Sequence, residues 1–197
     1  MRIILVRHGR TALNAAGLLQ GRVDEPVDPV GEAQAAAVAS RLSAEVDPVA
    51  VVTSPLMRAR RTGEILCATA GWAGVPVTVD ERWIELDYGI YDRRPTAEVP
   101  SEVWHGWRSD PTFSPEGGES FGDLDRRVRA ACDELAARPD GGDVVVVSHV
   151  SPIKAAVAWA LGADPGVAHR SRLDQAAVCR IEVGRTGPVL LSFNERP

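Results

Sequence analysis

Short unbroken apolar runs alternate along the chain with alanine-rich, charge-bearing stretches. Ile3 to Val6 is the first run, and its lack of polar alternation predicts a strand buried on both faces of a parallel sheet. Gly31 to Leu42 (GEAQAAAVASRL) has the composition of a helix, with Val38 and Leu42 on one face. Val49 to Thr53 is the next strand. Ser54 and Pro55 after it predict an N-terminal turn and first helical position for a helix over Leu56 to Ala70. Val75 to Val79 is a further short strand, and Asp143 to Ser148 (DVVVVS) is the strongest, a continuous β-branched run. Pro152 to Leu161 predicts a helix. Ala176 to Val183 and Val189 to Phe193 predict two last strands, joined as a hairpin by Gly184 to Pro188. This alternation predicts an α/β fold, a three-layer α/β/α sandwich around a mostly parallel central sheet.

Gly89 to Gly118 breaks the rhythm with Pro95, Pro100, Pro111 and Pro115 and with Trp104, His105 and Trp107. Such an insertion reads either as a lid or binding loop, over about residues 90–118, or as a partly helical packing segment with core tryptophans. At 197 residues, without repeat or linker, the chain is expected to form one domain over 1–197.

Composition narrows the function classes. The apolar share of 45% and charged share of 25% are those of a globular protein, and no apolar run approaches the roughly 18 residues of a membrane span. A net charge of −5 argues against a nucleic-acid partner, which needs an extended basic surface. Any phosphate recognition must be local. Cys67, Cys132 and Cys179 lack metal-ligand spacing and read as small buried residues in a reducing compartment. With no secretory leader legible at the start, the expected location is the cytoplasm. Neither membrane association nor a metal or organic cofactor is expected, and monomer and homodimer both fit the pattern.

The candidate chemistry sits at strand ends. Arg7, His8 and Arg10 follow the first run, His149 follows DVVVVS, and Arg58 opens the helix after the second strand. The carboxyl ends of parallel strands share one sheet edge, so these residues can converge although distant in sequence. A pocket of two guanidiniums and two imidazoles suits a dianionic phosphoryl group, because each guanidinium offers a planar fork of donors. The alternative is a structural histidine between solvated arginines. A metal-dependent hydrolase using His8, His149 and Glu85 is disfavoured, since Arg7 beside a divalent cation is electrostatically adverse and no HxH or HExxH spacing occurs.

VRHGRTALN, TSPLMRARRT, ERWIELDYG, PEGGES and VVVVSHVSPIKAAVAWALG resemble, in order and spacing, the signatures of the histidine phosphatase superfamily, the phosphoglycerate mutase-like proteins. RHG alone would be weak; the ordered set is specific and covers most of the chain. The resemblance implies that His8 is a nucleophile that becomes phosphohistidine. It also implies that Arg7, Arg58 and His149 complete a phosphate pocket, that Glu85 donates a proton to the leaving group, and that Asn14, Gln20 and Gly21 border phosphate or substrate. Glu85 is preferred to Glu81 because Gly89 follows it by four residues, as in the family pattern.

Two positions depart from the family pattern. Relatives usually carry Glu or Gln where Arg10 stands and Gly where Arg93 follows Asp92, which bears on substrate preference rather than catalysis. Arg93 is expected to face solvent. The insertion WHGWRSDPTFSPEGGES is short, as in the compact bacterial phosphatases. The expected activity is therefore hydrolysis of a small phosphorylated metabolite, a phosphomonoester, with specificity set by Trp104 to Phe113. A cofactor-dependent mutase and a catalytically inactive phosphate-binding module are the alternatives.

Overall fold

The computed structural model describes residues 1–196. Six strands form one sheet in the order β3-β2-β4-β1-β5-β6. These are β1 (Arg2–Arg7), β2 (Pro48–Thr53), β3 (Val77–Val79), β4 (Asp143–Ser148), β5 (Val178–Gly184) and β6 (Gly187–Glu195). The first four run parallel, and β5 and β6 close one edge antiparallel as the expected hairpin. Its turn is tighter than expected, because only Arg185 and Thr186 separate β5 from β6, which begins at Gly187 with φ 109.

Alternate residues of the central strands feed two separate cores, which is why those strands carry no polar positions. Ile3, Leu5, Val144 and Val146 pack with α5 (Phe121–Ala136) and α6 (Val150–Ala160) through Leu124, Val128, Cys132 and Ile153. Ile4, Val6, Val145 and Val147 pack on the other face with α2 (Pro29–Leu42) and α3 (Met57–Ala70) through Val38, Leu42, Ala59 and Leu66. The three layers of the α/β/α expectation are these two helix pairs and the sheet between them.

Several boundaries differ from expectation. A single helical turn, α1 (Ala12–Ala15), follows β1, and α2 starts at Pro29, where Asp28 accepts from Gly31 N at 2.8 Å as its N-cap. Pro55 is not the first helical residue: it lies in a bend, α3 starts at Met57, and Asp24 supplies the acceptor for Met57 N at 2.7 Å. The α6 helix reaches back to Val150, since Pro152 sits in its first turn where no intrahelical N–H is needed. A sixteen-residue helix that no apolar run announces, α5, is capped by Ser120, and its core face is Leu124, Val128, Ala131 and Leu135. Its signal is the 3.6-residue period alone.

The segment 89–118 is partly helical: two single 3₁₀ turns precede α4 (Ser101–Ser109). Trp107 is buried there, ringed by Tyr88, Tyr91, Trp104 and Phe113 at centroid distances of 5.3 to 6.2 Å. No described helix is long and apolar enough to cross a membrane.

Candidate active site

Sheet register decides which residues meet. Arg7 lies opposite Ser148 and Thr53 opposite Val147, and the following N–H groups continue the ladder, His8 N to Ser148 O and Ser54 N to Val147 O, both at 2.9 Å. His8, Ser54 and His149 therefore leave adjacent parallel strands side by side at the carboxyl edge, where ligand crevices form. The two imidazole centroids are 5.1 Å apart.

Hydrogen-bond partners fix the ring protons. A carbonyl can only accept, so the 2.7 Å contact of His8 Nδ1 with Gly9 O requires Nδ1–H and leaves the Nε2 lone pair free. For His149, Nδ1 accepts from Arg58 Nε at 3.2 Å, so Nε2–H donates to Ser54 Oγ at 2.6 Å. Both rings are neutral. Burial, then the Arg58 and Arg7 charges, push His8 well below its ordinary value; burial and Arg58 do the same for His149.

The two guanidiniums are buried, and their partners are neutral. Arg7 donates from Nη1 to Leu173 O at 2.7 Å, and its buried Nε has no acceptor. Arg58 donates to Gly21 O at 2.6 Å and Val23 O at 2.7 Å, and burial pulls it down to about 10. Asp92 holds those carbonyls in place by accepting from Gly21 N at 2.7 Å and Val23 N at 3.0 Å. Gly21 thus acts through its backbone, and a Cβ there would fall 2.8 Å from Leu86 O. Thr62 ties the loop after β1 to α3, accepting from Gly9 N at 3.1 Å and donating within its own helix to Arg58 O at 2.7 Å.

Arg7, His8, Asn14, Gln20, Glu85 and Tyr88 line a pocket of about 140 Å³. Arg58 and His149 pack behind His8. Gln20 Oε1 accepts from Thr11 Oγ1 at 2.7 Å and Asn14 Nδ2 at 3.2 Å, which leaves its buried Nε2 without an acceptor. Glu85 caps α6: its carboxylate accepts from Val150 N at 3.1 Å and Ser151 N at 3.2 Å, and from Leu86 N at 2.7 Å. Glu81 is exposed. Burial raises the Tyr88 phenol, which stays a neutral donor beside Glu85.

Two orphaned donors, Arg7 Nε and Gln20 Nε2, and two buried cations without carboxylate partners make this a pocket built for an anion. Among the described residues no three His, Cys, Asp or Glu side chains group as metal ligands.

The remaining sequence candidates lie elsewhere. Arg10 pairs through Nε with Asp28 Oδ2 at 2.8 Å, away from the pocket. Arg93 pairs with Glu25 at 2.8 Å on the surface, and its φ of 66 is in the left-handed region that favours glycine. His105 is exposed. Sequence reasoning did not assign a site role to Ser54, Thr62, Tyr88 or Asp92. Ser54 alone carried a signal, the same strand-end position as the two histidines.

The family model of the histidine phosphatase superfamily (branch 1) matches residues 3–196. The Bifunctional protein Rv2228c of Mycobacterium tuberculosis is 38% identical over 181 residues, covering 90% of this chain and 49% of the relative. The chain thus spans about half the length of the first curated relatives it matches. A probable phosphoglycerate mutase of Yersinia enterocolitica is 34% identical over 187 residues, covering 92% of this chain and 85% of the relative. The mycobacterial glucosyl-3-phosphoglycerate phosphatase, solved as a complex with VO3, superposes with a TM-score of 0.86 at 28% identity, covering 98% of each chain. Register, buried cations and family match agree: the chain belongs to the histidine phosphatase superfamily, in its branch 1.

Proposed function

We propose that this chain is a metal-independent phosphatase that hydrolyses a small phosphomonoester through a phosphohistidine on His8, in the cytoplasm. The observation that carries the reading is the pair of buried donors without acceptors, Arg7 Nε and Gln20 Nε2, beside an imidazole whose free lone pair is on Nε2. In the first step the Glu85 carboxylate takes the proton of the bound phosphomonoester monoanion and passes it to the leaving alkoxide as Nε2 bonds to phosphorus and the ester P–O bond breaks. In the second, Glu85 takes a proton from water, the hydroxide bonds to phosphorus, and the P–N bond breaks to return neutral His8. Arg7 and Gln20, which line the pocket, meet the charge that spreads over the equatorial oxygens in both transfers, Arg58 adds its positive charge from behind His8, and their fixed positions avoid reorganisation.

The resemblance to a probable phosphoglycerate mutase supports a second reading, in which the phosphohistidine returns its phosphoryl group to a second acceptor. Phosphate release from a panel of phosphomonoesters in EDTA separates the two, with 3-phosphoglycerate followed for isomerisation with and without 2,3-bisphosphoglycerate. Metal-independent phosphate release, with acid-labile label trapped on the wild type and none on His8→Ala, is the expected result. Bisphosphoglycerate-stimulated isomerisation with little release overturns hydrolysis, and turnover retained by His8→Ala overturns the nucleophile.

A further inference from the structure

Next to the pocket lies a second cavity of about 230 Å³, lined among others by Tyr88, Trp104, Trp107, Phe121, Lys154 and His169. Tyr88 and Val150 line both spaces, and Ser151, whose N–H holds Glu85, lines the second. The atom that takes a proton from Glu85 is the ester oxygen, so whatever is attached to that oxygen extends past Glu85 toward this cavity. Its size exceeds the roughly 150 Å³ that admits benzene.

Aromatic rings make up half of the lining, Leu86, Val150 and Ala168 add aliphatic surface, and Lys154 is its one charged side chain. Lys154, the only lysine in the chain, lies one helical turn beyond Val150 on α6. Its Nζ is partly buried and donates to one protein atom, the Ser171 carbonyl at 2.6 Å. A cation in an aromatic cavity without a carboxylate partner costs stability unless a ligand supplies the anion. His169, against Phe121 at 4.8 Å, brings no compensating charge, since burial and Lys154 hold it neutral. The indole N–H of Trp107 is buried without an acceptor as well, so this wall has a donor to spare.

We infer that this cavity is the subsite for the alcohol portion of the substrate, and that it takes a flat, ring-bearing alcohol carrying a carboxylate or similar anion that pairs with Lys154. The inference rests on the phosphatase reading for the phosphate end only. An apolar ring fills the aromatic walls, and the anion at the far end of the ring meets the ammonium, so the two ends of the substrate are held by separate charges on either side of Glu85.

The test compares 4-carboxybenzyl phosphate with benzyl phosphate, whose leaving alcohols differ little at the reacting oxygen, and with glycerol phosphate. The wild type is expected to favour the carboxylated ester over benzyl phosphate by roughly tenfold or more in kcat/KM, and either over glycerol phosphate. In Lys154→Met the carboxylate preference should fall to about twofold or less, and Lys154→Arg should recover part of it. Equal turnover of the carboxylated and plain esters by the wild type overturns the assignment of Lys154. Binding of 4-(hydroxymethyl)benzoate, which has no phosphate, is followed separately through the Trp107 indole N–H resonance in the wild type and in His8→Ala. Saturable binding to both is expected. Saturable binding without phosphate release from any ester overturns the phosphatase reading and sustains the subsite; release without binding of the alcohol overturns the subsite alone.

Discussion

The pocket around His8 and the cavity beside Trp107 share Tyr88 and Val150 but rest on different kinds of backbone. His8, Ser54 and His149 are each the first residue past a parallel strand, so one hydrogen-bonded ladder sets all three positions. The Trp104 and Trp107 walls come from α4, inside a stretch of turns outside the sheet, held to the rest of the molecule by side-chain packing and by scattered backbone hydrogen bonds such as Leu19 N to Arg94 O and Gly122 N to Pro111 O, both at 2.8 Å. The first arrangement fixes atoms as phosphoryl transfer requires; the second can change its lining without moving the sheet. Charge divides the same way, with unpartnered donors in the pocket and aromatic surface with one ammonium in the cavity.

Glu85 stands between the two, and its replacement should give the largest effect that depends on substrate. Glu85→Gln keeps the shape and loses the proton, so an alkyl ester is expected to lose about 10²- to 10⁴-fold in kcat. p-Nitrophenyl phosphate, whose phenolate leaves unprotonated, should lose far less. Equal losses on both esters would remove Glu85 from proton transfer and, with it, the ester oxygen from the boundary.

A pair of substitutions tests the division itself. Arg58→Met removes charge that stabilises the transferring group whatever the alcohol, so kcat should fall by about 100- to 1000-fold on every ester, with their ranking kept. Trp104→Ala should do the reverse, lowering kcat/KM for ring-bearing esters by about tenfold and altering glycerol phosphate less. A changed ranking in Arg58→Met, or a uniform loss in Trp104→Ala, would make the two regions one.

The same division governs what the amino-acid sequence made legible. The strands around the pocket are buried on both faces, and unbroken runs such as VVVV declare that directly, so strand order aside the sheet could be read from the chain. The positions of His8 and His149 then follow from strand ends. What was not legible lacked a local mark. The α5 helix spreads its apolar residues over sixteen positions among charges, so its period is visible only against a core it can face. Gly21 lies away from the pocket lining, because its contribution is a carbonyl that the folded loop turns toward Arg58. The role of Lys154 depends on which side of α6 faces α4, a packing outcome that no spacing announces. Arg10 is taken up by Asp28, the cap of the neighbouring helix, and so it is a structural cation rather than part of the pocket.

The smallest expected effect is on stability, and it too should separate the regions. His8 and His149 are held neutral by burial and by nearby guanidiniums, so their native values lie below the unfolded value of about 6.5. Between those values the unfolded chain binds protons that the native state refuses, and stability must rise with pH there and level off above about 6.5. Each histidine contributes a slope of about 1.4 kcal/mol per pH unit in that window. Urea unfolding of the wild type from about pH 7.5 down to about pH 5.5 should therefore show stability falling below about 6.5, and His8→Asn should halve that fall. His169 is half-buried in the cavity wall, so His169→Asn should change the slope much less. A wild-type stability flat across this range would mean that the pocket histidines take up protons in the folded protein as readily as in the unfolded chain, and burial and the guanidiniums would then not be what keeps the His8 lone pair free.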